Sequence, residues 1–153
     1  MPRLSFDGFS ILAPDGWEEI TESNGGNPSP LTIAKRDGVG ALQFSTALYE
    51  EGRQPDPTPD DLLGMVMEFT ESRGWGQPNG KTTAQEPIRL GAGSIRDQDW
   101  FIRLWYVSDG WNVGFVTYTC EWGQQARELE ECEAIVRTIR FESRHRGSLG
   151  QAR

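Results

Sequence analysis

Residues 100–141, WFIRLWYVSDGWNVGFVTYTCEWGQQARELEECEAIVRTIRF, decide the fold of this chain. Two runs rich in aromatic and β-branched residues flank Asp109-Gly110, a dipeptide that favours tight hairpin turns. The segment after them has apolar residues at spacings of three and four, which predicts an amphipathic helix over residues 124–138. The apolar stripe of this helix consists of Leu129, Cys132, Ile135, Val136 and Ile139. A hairpin that leads into a helix is therefore the unit against which the rest of the chain must pack.

The first strand of this hairpin is apolar on both faces. Alternation places Phe101, Trp105 and Val107 on one side and Ile102, Leu104 and Tyr106 on the other. A strand of this kind is normally covered on both sides, and we expect the chain itself to provide the cover. If Phe101, Trp105 and Trp111 are instead uncovered, that face is where a partner lies. The predicted core is Trp100, Ile102, Leu104, Phe115, Leu129, Cys132 and Val136.

The acidic face of the helix opposes its apolar stripe. It carries Glu128, Glu130, Glu131 and Glu133. A charged face opposite an apolar stripe is typical of a helix that turns one side to water. We therefore expect these four carboxylates to be solvated.

Two further hairpins are predicted in the N-terminal half. Residues 4–13 alternate around a turn, and residues 31–36 and 41–49 flank a second Asp-Gly pair. Residues 21–30 form a loop by composition, because Gly, Asn, Ser and Pro oppose regular structure.

The middle of the chain predicts one more helix and one more strand. The helix covers residues 59–73, with Thr58 as the residue that caps its free amide groups. The strand covers residues 88–95, where Gly91 and Gly93 indicate a bulge or a close backbone approach. These elements together predict an α+β fold, a mostly antiparallel twisted sheet of about six strands packed with two main helices.

Composition indicates a globular chain with an acidic body. Of its residues, 36% are hydrophobic and 25% are charged, values that exclude a disordered chain or a membrane-embedded one. We predict a single domain over residues 1–142 and a disordered basic tail over residues 143–153. All 23 acidic residues precede position 143, whereas three of the 15 basic residues follow it. The resulting negative field repels nucleic acid and anionic lipid and favours a basic partner. The alternative is that the acidic surface serves only to keep the protein soluble.

Residues that could perform catalysis are scarce. The only histidine is His145, in the predicted tail, which removes nearly all Ser-His, Cys-His and histidine-ligated metal schemes. Cys120 and Cys132 have no metal-site spacing. They lie in a strand and on the apolar stripe of the following helix and could approach each other, so we expect two buried reduced thiols, with a disulfide as the alternative. Asp97 and Asp99 lie in a turn, where solvation explains acidic residues better than a catalytic pair does. The sequence therefore predicts a protein that is not an enzyme and has no catalytic, cofactor-binding or metal-binding residues.

The order of these elements resembles the PsbP-like and DcrB-like family of α/β/α sandwich proteins. The resemblance covers residues 4–141 and is carried by FSILAPDGW at residues 9–17 and EAIVRTIRF at residues 133–141. Exported members of that family carry a signal or lipid-anchor segment. The N-terminal residues here lack the continuous apolar region of such a signal, so we expect the cytoplasm.

The resemblance implies a protein that acts by binding another protein. Cytoplasmic bacterial proteins similar to this fold include immunity proteins encoded beside secreted toxins and adaptor chaperones of type VI secretion effectors. An immunity protein that neutralises a cognate toxin is the first hypothesis, and an effector chaperone is the alternative. A small-ligand-binding domain, with an aromatic pocket near Trp75, Trp105 or Trp111, is the second alternative. We expect no cofactor, no nucleic acid and no membrane, and a monomer or homodimer.

The predicted partner-binding residues are acidic loop residues and aromatic residues outside the core, since interfaces commonly combine aromatic anchors with a charged rim. They are Glu50, Glu51, Asp56, Trp75, Asp97, Asp99 and Trp111. Trp75 lies in a loop rich in Gly, Pro and Asn, where a large aromatic side chain either folds back onto the core or marks a recognition surface.

Overall fold

The computed structural model describes residues 3–6, 8–21, 31–47 and 54–142. Antiparallel pairing builds a seven-stranded sheet. Its strands, in spatial order, are β3 (Trp17–Glu19), β4 (Leu31–Lys35), β5 (Gly40–Ala47), β9 (Val113–Glu121), β8 (Trp100–Ser108), β7 (Arg89–Asp97) and β6 (Asn79–Ala84). A three-stranded sheet has the order β1 (Arg3–Phe6), β2 (Phe9–Leu12) and β10 (Arg140–Phe141). The helices are α1 (Pro59–Ser72) and α2 (Leu129–Arg137), so the predicted α+β class is confirmed.

The predicted central hairpin is formed by β8 and β9. Its register pairs Tyr106 with Phe115 and Val107 with Gly114. The carboxylate of Asp109 closes the turn, because its Oδ1 atom accepts the backbone N–H groups of Trp111 at 2.9 Å and Asn112 at 2.7 Å. The turn chemistry read from the sequence thus positions both strands.

Helix α1 begins where the sequence predicts. The Thr58 side chain accepts the amide of Asp61 at 3.0 Å, and the Asp61 carboxylate accepts the amide of Thr58 at 2.9 Å. This reciprocal capping box satisfies two amide groups that the first helical turn leaves free. The helix then packs on β7, where a Cβ atom added to Gly91 would lie 2.2 Å from the backbone nitrogen of Leu63. The predicted close backbone approach is therefore confirmed.

The two faces of the large sheet carry separate apolar clusters. On one face α1 covers β7 and β8 with Leu63, Val66 and Phe69, which pack with Ile95, Ile102, Leu104, Tyr106 and Phe115. On the other face α2 and the small sheet cover Phe101, Trp105, Val107, Val116 and Tyr118. Beyond its first residue, the strand with two apolar faces is therefore covered on both sides by its own chain.

The last helix begins later than the sequence predicts. Residues Gln125–Arg127 form a 3₁₀ turn, and α2 begins only at Leu129. The predicted loop after α1 also contains β6, so the large sheet has seven strands instead of about six. The predicted tail, residues 143–153, lies outside the described residues.

The prediction of a solvated acidic face on α2 is wrong at Glu128. This residue is only 4% exposed. Its carboxylate accepts the backbone amides of Val39 and Gly40, both at 3.1 Å, and the hydroxyl of Tyr118 at 2.8 Å. Only Glu130, of the four predicted acids, is exposed.

The same prediction is wrong at Glu131 and Glu133, which are partly buried. Lys35 Nζ lies 2.9 Å from Glu131, and this hydrogen bond lowers the pKa of the carboxyl. Glu133 accepts the indole N–H of Trp105 and pairs with the buried guanidinium of Arg103 at 3.3 Å. Helical spacing alone cannot show such partners, because they come from strands distant in sequence.

Candidate protein-binding surface

Two exposed tryptophans lie at one end of the large sheet. Trp100 is the first residue of β8 and is 48% exposed, and Trp122 follows the last residue of β9 and is 42% exposed. They line a shared cleft of about 380 Å³. We call this surface the tryptophan end and define it as Arg96, Asp97, Asp99, Trp100, Glu121 and Trp122. Exposed aromatic residues of this size, grouped together, are typical of interaction sites.

Trp100 is exposed because of where α1 lies. Alternation along β8 puts its side chain on the same face as Ile102 and Leu104. Those two residues pack in the α1 cluster, whereas Trp100 lies outside it. The prediction that Trp100 belongs to the core is therefore wrong, since its face is apolar but its position is beyond the covered part of the sheet.

Trp122 is held in place from three sides. Its backbone N–H donates to the carbonyl of Asp99 at 2.7 Å. The guanidinium carbon of Arg96 lies 4.5 Å from the ring centroid, and the ring of Phe101 lies 6.1 Å away. A cation over an aromatic face is attracted by the ring quadrupole, so the indole is preorganised. Trp122 is not among the predicted binding residues, although a Trp-Gly pair directly after a strand marks an exposed aromatic residue of this kind.

The turn between β7 and β8 completes the surface. Asp97 pairs with Trp100 across the turn, and Gln98 has a positive φ of 58°. The Nε–H of Arg96 donates to the carbonyl of Gln98 at 3.0 Å, which fixes this backbone conformation. With Asp99 and Glu121 nearby, carboxylates outnumber the single guanidinium of the tryptophan end. The surface therefore offers rigid aromatic anchors with an acidic rim.

The structure separates the predicted partner-binding residues. Asp97 and Asp99 belong to the tryptophan end. Asp56 and Trp111 lie at the opposite end of β8, where the Asp56 carboxylate pairs with Arg89 at 2.6 Å and Trp111 is half-buried in the β8–β9 turn. Glu50 and Glu51 lie outside the described residues.

Trp75 folds back onto helix α1, one of the two outcomes considered for it. Its backbone N–H donates to the carbonyl of Thr70 at 2.9 Å, and its ring lies edge-on to Phe69 at 6.0 Å. The half-buried ring lines a cleft of about 290 Å³ on the α1 side of the sheet. The β-strand side chains of that cleft that can hydrogen-bond are Gln43, Ser45, Thr117 and Thr119.

The expectation that the chain itself covers the face of Phe101 and Trp105 is confirmed. Phe101 is 5% exposed and Trp105 is fully buried. Both pack in the cluster covered by α2 and the small sheet. A partner therefore has no access to that face.

Both cysteines of the chain lie in the core. Cys120 and Cys132 are free and buried, and burial raises the pKa of both thiols, so they stay protonated. Within the described ranges, no three His, Cys, Asp or Glu side chains are grouped as a metal site would require. No helix in this part of the chain is long and apolar enough to cross a membrane.

Comparison with solved structures identifies the fold. The solution structure of cyanobacterial PsbP (CyanoP) from Synechocystis sp. PCC 6803 aligns with 92% of this chain and 92% of its own, at 10% identity and a TM-score of 0.63. A crystal structure from Bacteroides thetaiotaomicron VPI-5482, at 1.50 Å resolution, aligns with 90% of this chain at 16% identity and a TM-score of 0.56. This chain spans only 46% of the Bacteroides protein's length. The sequence matches no protein-family model and no curated protein.

These similarities show a PsbP-like α+β fold, as the sequence resemblance implies. At 10% and 16% identity they carry the fold alone, because one fold serves many functions.

Proposed function

We propose that this chain is a non-catalytic protein-binding module, and specifically an immunity protein that binds and neutralises a cognate secreted bacterial toxin in the cytoplasm. The observation that carries the proposal is that Trp100 and Trp122, both exposed, line one cleft beside the β7–β8 turn and its acidic rim. The proposed partner is a protein, with no nucleic acid, no membrane and no cofactor.

The tryptophan end has the energetic pattern of a tight interface. Tryptophan is enriched among the few residues that dominate binding energy. Trp122 is already held by Arg96 and Asp99, so less conformational entropy is lost when a partner orders it. This preorganisation suits an inhibitor that must act before its toxin does harm.

Charge favours a basic partner. The chain has a net charge of −8, and the rim carboxylates of Asp97, Asp99 and Glu121 extend that field to the proposed contact. Complementary electrostatic potentials speed the association of two proteins, and repulsion between like charges disfavours other partners. A toxin with a basic active-site cleft is therefore the partner that this surface fits.

The chaperone alternative requires a different surface. A chaperone for apolar effector segments needs an apolar groove and is expected to dimerise. The cleft beside Trp75 is lined on its sheet side by the apolar residues Ile102, Leu104 and Phe115 and by the polar residues Gln43, Ser45, Thr117 and Thr119, so it is the groove that a chaperone would use. None of the residues that line the cleft at the tryptophan end belongs to it, so the two hypotheses place the partner on different surfaces.

Co-expression with the product of the neighbouring gene tests the proposal. We expect that product to be toxic alone, and harmless when this chain is present and forms a complex with it. Trp100→Ala and Trp122→Ala should each weaken the complex about tenfold or more, because truncated anchors cost roughly 2 kcal/mol. The matched control is Ile20→Ala, which shortens another exposed apolar residue at the β3 edge.

The possible outcomes are distinguishable. A neighbouring product that is harmless, or toxicity that persists without a complex, would overturn the immunity hypothesis. A complex that tolerates both tryptophan substitutions, with melting temperatures unchanged, would overturn the tryptophan end as its site. Dimers that capture isolated apolar effector segments would instead support the chaperone.

A further inference from the structure

A cleft of about 650 Å³ lies at the end of the large sheet opposite the tryptophan end. It is bounded by the last turn of α2, the small sheet, and the loop that leads into β7. Four arginines line it: Arg3, Arg89, Arg137 and Arg140. In a chain with 23 acidic and 15 basic residues, such a concentration of positive charge runs against the overall field.

Strand register brings two of these arginines to one face of the small sheet. Arg3 on β1 pairs with Leu12, and Arg140 on β10 pairs with Ser10. Ser10 and Leu12 are two residues apart on β2, and directly paired residues point to the same side. Arg3 Nη1 donates to Ser10 Oγ at 2.9 Å, as this geometry requires. Arg3 and Arg140 therefore lie together because of the strand register and not because of side-chain rotation alone.

The other two arginines complete the cleft. Arg137 belongs to the last turn of α2, and Arg89 begins β7 on the facing side. Among the described residues, Arg89 alone of the four has a carboxylate partner, Asp56 at 2.6 Å. Among the described residues, Arg3 donates to the neutral oxygens of Ser10 and Thr138. Three guanidinium groups thus share a cleft without a paired carboxylate in the described part of the chain.

Two acidic residues, Asp109 and Glu86, also line the cleft, but the Asp109 carboxylate is already used within its own turn. The Asp109 carboxylate accepts amides of its own turn. Glu86 is exposed at the rim, with no ion pair to any described residue. Grouped like charges repel one another and destabilise the fold unless a counter-ion joins them. An anion bound among the arginines would supply that counter-ion.

We propose that this cleft binds a small molecule that carries a phosphate or pyrophosphate group. The planar guanidinium fork matches phosphate oxygens, and several forks together match a group with more than one negative charge. The buried side chains of Ile88 and Ile139 add an apolar floor for the rest of the ligand. The volume of about 650 Å³ falls within the range of roughly 300–1,000 Å³ that is typical of ligand pockets.

Calorimetric titration with inorganic pyrophosphate tests this site. We expect saturable binding that weakens with salt, and roughly tenfold weaker binding to Arg140→Gln and to Arg137→Gln, since each removes a charge-assisted hydrogen-bond donor. Arg127→Gln is the matched control, because Arg127 is exposed on the 3₁₀ turn, where its guanidinium donates to Gln124, and it does not line the cleft. Adenosine monophosphate and triphosphate extend the series to ligands with an apolar portion.

Weaker binding could also result from a variant that fails to fold, so a substitution that should strengthen binding is tested as well. Glu86→Gln removes the unpaired acid at the rim, so pyrophosphate should bind several times more tightly, whereas Glu130→Gln on the outer face of α2 should change nothing. Absence of saturable pyrophosphate binding, or equal binding by Arg140→Gln and the native chain, would overturn the proposal. Tighter binding of citrate than of pyrophosphate would overturn its assignment to phosphate. None of these results bears on partner binding at the tryptophan end.

Discussion

Glu128 joins parts of the chain that are distant in the sequence. Its carboxylate, on the residue that precedes α2, accepts amides from the β4–β5 turn and the hydroxyl of Tyr118 on β9. The two amides are part-buried and the Tyr118 hydroxyl is buried. A donor that is buried and left without a partner costs about 1–3 kcal/mol. The residue therefore fixes α2 over the sheet, although the sequence shows only one acid among four on a helix face.

Replacing this carboxylate should destabilise the fold strongly. We expect Glu128→Ala to lower the free energy of unfolding by about 3 kcal/mol or more, because all three donors lose their acceptor. Glu130→Ala, an exposed acid two residues away, should change it by less than about 0.5 kcal/mol. Urea denaturation followed by tryptophan fluorescence measures both. A loss below about 1 kcal/mol for Glu128→Ala would mean that water replaces the carboxylate.

At the scale of elements, α1 and β7 approach so closely that only glycine fits between them. A Cβ atom at Gly91 would lie 2.2 Å from the nitrogen and 2.5 Å from the Cα of Leu63. These are backbone atoms, so no side chain can rotate away. Helix α1 reaches this position because its start is fixed by Thr58 and Asp61.

A pair of alanine substitutions tests this contact with opposite expected signs. Gly91→Ala should destabilise the chain by about 1–3 kcal/mol, since the helix must shift away from the strand. Gly64 is the residue after Leu63 in α1, and a Cβ atom added there would meet nothing within 4 Å. Gly64→Ala should therefore stabilise the chain by roughly 0.5–1 kcal/mol. Thermal unfolding of the two variants distinguishes packing from helix propensity. Equal shifts of the same sign would show that α1 does not rest against Gly91.

The elements that could be predicted are those with local signals. The β8–β9 hairpin follows from alternation around Asp109-Gly110, and α1 follows from its cap and its apolar stripe. Strand β6, with the sequence NGKTTA, lacks apolar alternation because it is an edge strand whose side chains are mostly exposed. Its pairing with β7 is a tertiary effect, so no local pattern marks it.

At the scale of the whole molecule, the sheet has an acidic aromatic end and an arginine-lined end. The acidic turn at Asp97 and Asp99 was visible in the sequence, because hairpin turns are exposed. Trp100 and Trp122 were not, because their exposure depends on how far α1 and the small sheet extend over each face. The residue types of a site can thus be read from a sequence. Which of those residues are exposed depends on the distant elements that cover the sheet.

The asymmetry of charge predicts how a toxin complex would form. With a net charge of −8 and an acidic rim at the contact, the association rate constant should fall about tenfold or more as salt rises from about 0.02 M to 0.5 M. The dissociation rate constant should change much less, because the tryptophan contacts are mainly apolar. Stopped-flow tryptophan fluorescence, to which all six tryptophans of the chain contribute, provides the measurement. Asp97→Asn combined with Asp99→Asn should flatten this salt dependence more than Glu19→Gln combined with Glu130→Gln, which removes the same charge from other surfaces. Equal effects of the two pairs would place the partner elsewhere on the molecule, and an association rate that rises with salt would contradict a basic partner.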